Sequence, residues 1–127
     1  MIMTLKYKTV WHCTPKWNLD SILVYGVDPT KALGNIQRSW FVQWHGLPYA
    51  LAHISARHGV SVNQLAVIRL KIPESRLTHH RLAMYYSYDV ERRGFRVLAG
   101  DQALDRWERQ RRGLGTYYGK KEMRIEL

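Results

Sequence analysis

The stretch from Gln64 to Ile72 constrains this chain most, because Ala66, Ile68, Leu70 and Ile72 alternate within an almost continuously apolar run that Pro73 ends. Such a run reads as a strand buried on both faces. A strand of that kind requires neighbours to satisfy its backbone and other elements to cover it. With 127 residues there is material for one hydrophobic core and no second domain, so residues 1–127 are expected to form a single unit. Hydrophobic residues at 46% and charged residues at 24% agree with a globular chain.

The elements on either side follow from local pattern. Lys6 to Cys13 is rich in β-branched and aromatic residues and predicts a strand. Thr14 then reads as a helix N-cap with Pro15 at the first helical position, Leu19, Ile22 and Leu23 on one face, and Gly26 as the stop. Gln37 to Gln43 predicts a second strand. After His45-Gly46 a helix is expected, with Leu47, Ala50, Leu51 and Ile54 sharing a face and Gly59 closing it. Beyond Pro73, strands are expected at Met84 to Tyr88 and Gly94 to Leu98, with Glu91-Arg92-Arg93 as a charged turn between them. Asp101 would cap a helix running to Arg112, with Leu104 and Trp107 inward, and Lys120 to Leu127 reads as a last strand.

Several chemistries are disfavoured at once. No window approaches the roughly 18 apolar residues of a membrane span, and the start lacks a signal-peptide core, so a soluble, cytoplasmic protein with no membrane partner is expected. Cys13 is the only cysteine, which rules out an internal disulfide and a multi-cysteine zinc site. His79 and His80 are adjacent and diverge on a strand, and His53 and His58 stand at a poor chelating interval on a helix, so no metal is expected. A formal net charge of +10 predicts attraction to nucleic acid or another acidic macromolecule.

Three segments suggest a site. Val10-Trp11-His12-Cys13-Thr14 precedes a helix ending in Gly26-Val27, Ser39-Trp40-Phe41-Val42 precedes a helix bearing Tyr49-Ala50, and Glu122 leads the terminal strand. In this order they resemble the ADP-ribosyltransferase superfamily of the His-Tyr-Glu type, here His-Trp-Glu, most closely over residues 8–72. The resemblance implies a small α+β fold with a split β-sheet core and two or three short helices. It implies NAD as substrate, with His12 and Thr14 on ribose hydroxyls and Trp40 against nicotinamide. Cys13 stands where the family has a glycine whose backbone bonds the carboxamide, and Tyr49 is included in the implied binding set.

Breaking the bond between nicotinamide and ribose develops positive charge on the sugar, so a carboxylate held there stabilises the transition state more than the ground state. By resemblance Glu122 takes this catalytic role beside His12, with Glu126 on the same strand face as the alternative. Taken one at a time, His12 also reads as a structural histidine, Trp40 as core packing and Glu122 as a solvated carboxylate. Their joint order is what points to chemistry.

From Arg106 to Lys121 the chain mixes six basic residues, three aromatics and three glycines. Arg109, Arg111, Arg112, Tyr117, Tyr118, Lys120 and Lys121 are expected to contact an anionic target, although a solvated helix face and loop would look the same. By resemblance, Lys120 in place of an acidic residue two positions before Glu122 argues against an arginine acceptor. Two functions follow as expectations. One is an NAD-dependent ADP-ribosyltransferase or NAD glycohydrolase acting on an anionic target such as nucleic acid. The other is a non-catalytic nucleic-acid-binding or assembly protein with the same fold.

Overall fold

Strand β1 (Tyr7–Pro15) and strand β3 (Leu65–Pro73) pair antiparallel over their whole lengths, from Tyr7↔Pro73 to Pro15↔Leu65. They form the middle of a computed structural model that describes residues 5–32 and 36–113. Four further strands flank them: β2 (Ser39–Val42), β4 (Thr78–Arg81), β5 (Met84–Ser87) and β6 (Arg96–Ala99). The order across the sheet is β4-β5-β2-β1-β3-β6, and every pairing is antiparallel. Among the described residues there are three α-helices, α1 (Leu19–Tyr25), α2 (Leu47–His58) and α3 (Gly100–Gly113). The protein is therefore a small α+β fold.

The pairing is uneven in a way that matters for the site. β2 pairs with β5 through four residues and β3 with β6 through four, but β1 and β2 share one register pair, Trp11↔Val42. Within the one six-stranded sheet, β4-β5-β2 and β1-β3-β6 thus meet through a single register pair.

Alternation along β1, β2 and β3 divides the core between the two faces. Trp11, Cys13, Val42 and Val67 pack beneath Leu47 and Leu51 of α2 and Ala103 and Trp107 of α3. Val10, Phe41, Ile68, Leu70 and Ile72 lie on the other face with Ile22 of α1 and Val27. Burial on both faces explains the nearly unbroken apolar run of β3.

Local signals and tertiary pairing compete at the ends of the helices. α2 begins with Pro48 in its first turn and ends, as expected, at Gly59, which is in the left-handed conformation. α1 starts later than expected. Thr14 and Pro15 remain in β1, paired with Ala66 and Leu65, and a 3-10 turn over Lys16–Asn18 leads into the helix. The ladder holds Thr14 where a cap would have released it, and Thr14 Oγ1 instead accepts a bond from Asn18 Nδ2 at 3.1 Å.

At the other end Gly26 closes α1 with φ +84 and its N–H on the Ile22 carbonyl at 2.7 Å. A Cβ here would fall 2.3 Å from the Glu91 carbonyl oxygen. That close approach allows Val27 and Glu91 to exchange backbone bonds at 2.9 and 3.3 Å.

Glu91 is consequently no solvated turn residue: it is 3% exposed and accepts a bond from Ser87 Oγ at 3.2 Å. The sequence also gave no indication of β4, whose four residues are all exposed at the sheet edge. α3 spans nearly the expected range, with Trp107 buried and Asp101 Oδ1 accepting the Gln102 N–H at 2.9 Å. The strand expected at Lys120 to Leu127 lies outside the described residues. No helix among those described is long and apolar enough to cross a membrane.

Candidate functional site at the split of the sheet

Where β1 and β2 diverge past Trp11↔Val42, the imidazole of His12 bridges the two halves. Its Nδ1 lies 2.8 Å from the main-chain carbonyl oxygen of Trp40. A carbonyl can only accept, so Nδ1 carries the hydrogen, and in the neutral ring Nε2 is left with a free lone pair. Burial lowers the His12 pKa below its ordinary value, and the bond to Trp40 opposes the shift without cancelling it. The result at neutral pH is an uncharged imidazole of fixed tautomer. Its ring also rests against Phe41, with centroids 5.7 Å apart.

Thr14 follows two residues later on the same face of β1 and is buried, with its hydroxyl oxygen held by Asn18. Cys13 lies between them and points the other way, into the core under α2 and α3. It is 7% exposed, and burial pushes its thiol pKa up to about 12. The sulfur is thus a protonated packing group removed from the face that carries His12, not a nucleophile.

Trp40 contributes its backbone to the His12 contact and its ring elsewhere. The neighbouring Phe41 shares a face with Val10, and alternation turns the Trp40 indole to the opposite side. There the Arg38 guanidinium sits 4.4 Å from the indole centroid and 4.7 Å from that of Tyr86. His80 and Tyr86 meet the indole edge-on at 4.8 and 5.4 Å. The structure therefore brings together the side chains of His12 and Thr14 and the main chain of Trp40, and groups the Trp40 ring with Arg38, Tyr86 and His80.

The other expected residues are dispersed. Tyr49 is 45% exposed on α2. On α3, Arg109 pairs with Asp105 one turn away, and the Arg111 guanidinium lies 5.8 Å from the Trp107 ring centroid. Arg112 ends the same helix ahead of Gly113. Tyr117, Tyr118, Lys120, Lys121, Glu122 and Glu126 lie outside the described residues. Among the described residues, no group of three or more His, Cys, Asp or Glu could hold a metal ion.

Two features were not foreseen from the sequence. Arg38 and Tyr86 lie on the Trp40 face, and a period of two through Arg38-Ser39-Trp40 would have pointed to the first. The buried Glu91 left no signal at all, since Val90-Glu91-Arg92 reads as surface. No protein-family model, curated protein or solved structure matches this chain.

Proposed function

We propose that the chain is an ADP-ribosyltransferase-like enzyme, or an NAD glycohydrolase using the same site, that cleaves the nicotinamide-ribose bond of NAD and acts on an anionic target such as nucleic acid. The observation that carries this reading is the neutral imidazole of His12 fixed across the split of the sheet by the Trp40 carbonyl. Its Nε2 lone pair can accept from a ribose hydroxyl, and the Thr14 hydroxyl on the same face retains a proton to donate. Because the Cys13 sulfur is turned into the opposite core, its side chain does not occupy the face that carries His12. Glu122 supplies the carboxylate that stabilises the developing positive charge on the ribose.

The test is nicotinamide release from NAD by the purified chain, with and without single-stranded nucleic acid. Wild type should release it and Glu122→Gln should not. Equal, background-level release by both would overturn the enzymatic reading.

A second reading rests on the Trp40 ring, whose face is occupied by Arg38. With the indole so engaged and a net charge of +10, the fold would serve as a non-catalytic nucleic-acid-binding protein. That reading predicts salt-sensitive nucleic-acid binding which His12→Ala and Glu122→Gln leave unchanged. Affinity indifferent to ionic strength would contradict it.

A further inference from the structure

Away from the split, at the start of β1 and the end of β3, two adjoining shallow, solvent-open cavities of about 290 and 340 Å³ share Tyr7, Lys71 and Arg93 as lining residues. Tyr7 stands five residues before His12, which places this region roughly 17 Å along the strand from the imidazole. Arg76 and Arg92 bring to four the cations lining the larger cavity, where Glu91 is the only carboxylate among the described residues. Glu91 is buried and accepts a bond from the Ser87 hydroxyl at 3.2 Å, so its carboxylate is turned inward from the surface cations.

Three of the cations, Lys71, Arg92 and Arg93, are left without an ion-pair partner among the described residues. Arg93 donates from Nη1 to Tyr7 Oη at 2.8 Å, and Arg92 donates from Nη2 to the Val24 carbonyl at 2.8 Å. Neither has a carboxylate partner among the described residues, and Lys71 has no hydrogen-bond or ion-pair partner among them. Arg76 faces Asp89 at 3.9 Å and lies within electrostatic reach of Glu91.

Gly94 explains how Arg93 comes to lie beside Lys71. Its φ is +70, and a Cβ there would sit 3.1 Å from the Lys71 backbone nitrogen, so the turn presses directly on β3. Like charges converging in this way repel unless an anion joins them. Guanidiniums anchored through one N–H keep others for the oxygens of a phosphate. The rest of the wall is apolar or aromatic, from Leu5, Tyr7, Pro73 and Val90, and the volume exceeds that of a bare ion.

We propose that this cavity binds the phosphate of a nucleotide, with the sugar or base against the apolar wall, at a site separate from the His12 face. The inference does not depend on NAD turnover.

The test uses the full isotope-labelled chain titrated with inorganic phosphate, with AMP and with a short single-stranded oligonucleotide, following the backbone amides of Lys71, Arg93 and Gly94. All three probes should shift these amides, while phosphate leaves the His12 signals in place. Tighter binding of the oligonucleotide than of AMP would identify the phosphate as that of a nucleic-acid backbone, and the reverse order would identify a free nucleotide. The double variant Lys71→Ala/Arg93→Ala should weaken binding about tenfold or more and reduce the salt dependence by about two counterions. Arg57→Ala, which removes an exposed cation on α2, should change neither. Should the double variant fail to fold, Lys71→Gln alters only an exposed side chain and should show part of the same loss. Amide shifts confined to other regions, or unchanged affinity in a folded variant, would overturn the proposal.

Discussion

His12 Nδ1 and the Trp40 carbonyl oxygen lie 2.8 Å apart across the one place where the two halves of the sheet are joined by a single register pair. The contact fixes the tautomer of the imidazole and satisfies a main-chain acceptor that β1 leaves unpaired where the strands part. The bond is structural, while the proposed chemistry would use the Nε2 lone pair, so substitution can separate the two.

His12→Asn places an amide N–H where Nδ1 was and removes the Nε2 lone pair. His12→Ala removes both and leaves the Trp40 carbonyl without its partner, a loss of about 1–3 kcal/mol. Urea unfolding should show His12→Asn close to wild type and His12→Ala clearly less stable, with NAD turnover lost in both. Equal stability of all three would remove the structural role of the bond.

The lowered pKa of His12 sets a pH dependence whose sign is fixed. Unfolded, the imidazole titrates near its ordinary value of 6.5, and folded it titrates lower. Between those values the unfolded chain binds the extra proton, so stability is present above about 6.5 and is lost as pH falls toward the folded pKa. Glu91, raised by burial, contributes with the opposite sign. Comparison with His12→Asn cancels that contribution. From about pH 7.5 to about pH 5.5 wild type should lose more stability than His12→Asn. Parallel behaviour of the two would contradict a depressed His12 pKa.

Cys13, with its thiol pKa raised to about 12, should be inert in the native protein. Labelling by a thiol reagent near pH 8 should be slow in buffer and rapid in denaturant. Fast labelling of the folded chain would place the sulfur at the surface and reopen it as a nucleophile.

Gly26 and Gly59 both have positive φ, yet only Gly26 meets neighbouring backbone. Gly59→Ala should lower stability by about 1 kcal/mol, the conformational term alone. Gly26→Ala adds the collision with Glu91 and should lose more than about 2 kcal/mol. Thermal or urea denaturation checks the ranking. Equal losses would mean that the Val27–Glu91 bridge yields without resistance.

Much of the fold could be read locally because local and tertiary preferences agree there. The alternation in Ala66, Ile68, Leu70 and Ile72 and the helical face of Leu47, Leu51 and Ile54 both become core. The disagreements arise where a distant partner decides. Thr14 has a cap's composition but is held by pairing with Ala66, and Glu91 has a turn's composition but is buried by its bridge to Val27. Thr78–Arg81 forms an edge strand through backbone bonds to β5, and its exposed polar side chains carry no periodic signal. At the site, His12 stood out by its neighbours. The role of Trp40 toward it did not, because the group involved is a carbonyl, which every residue has.

The most direct measurement of the central claim is the nitrogen-15 spectrum of the His12 ring during titration with NAD. The spectrum should show a neutral ring protonated at Nδ1, and NAD should shift the Nε2 resonance as its lone pair accepts a hydroxyl. An unmoved His12 signal at NAD concentrations that shift other residues would show that NAD does not use the split of the sheet.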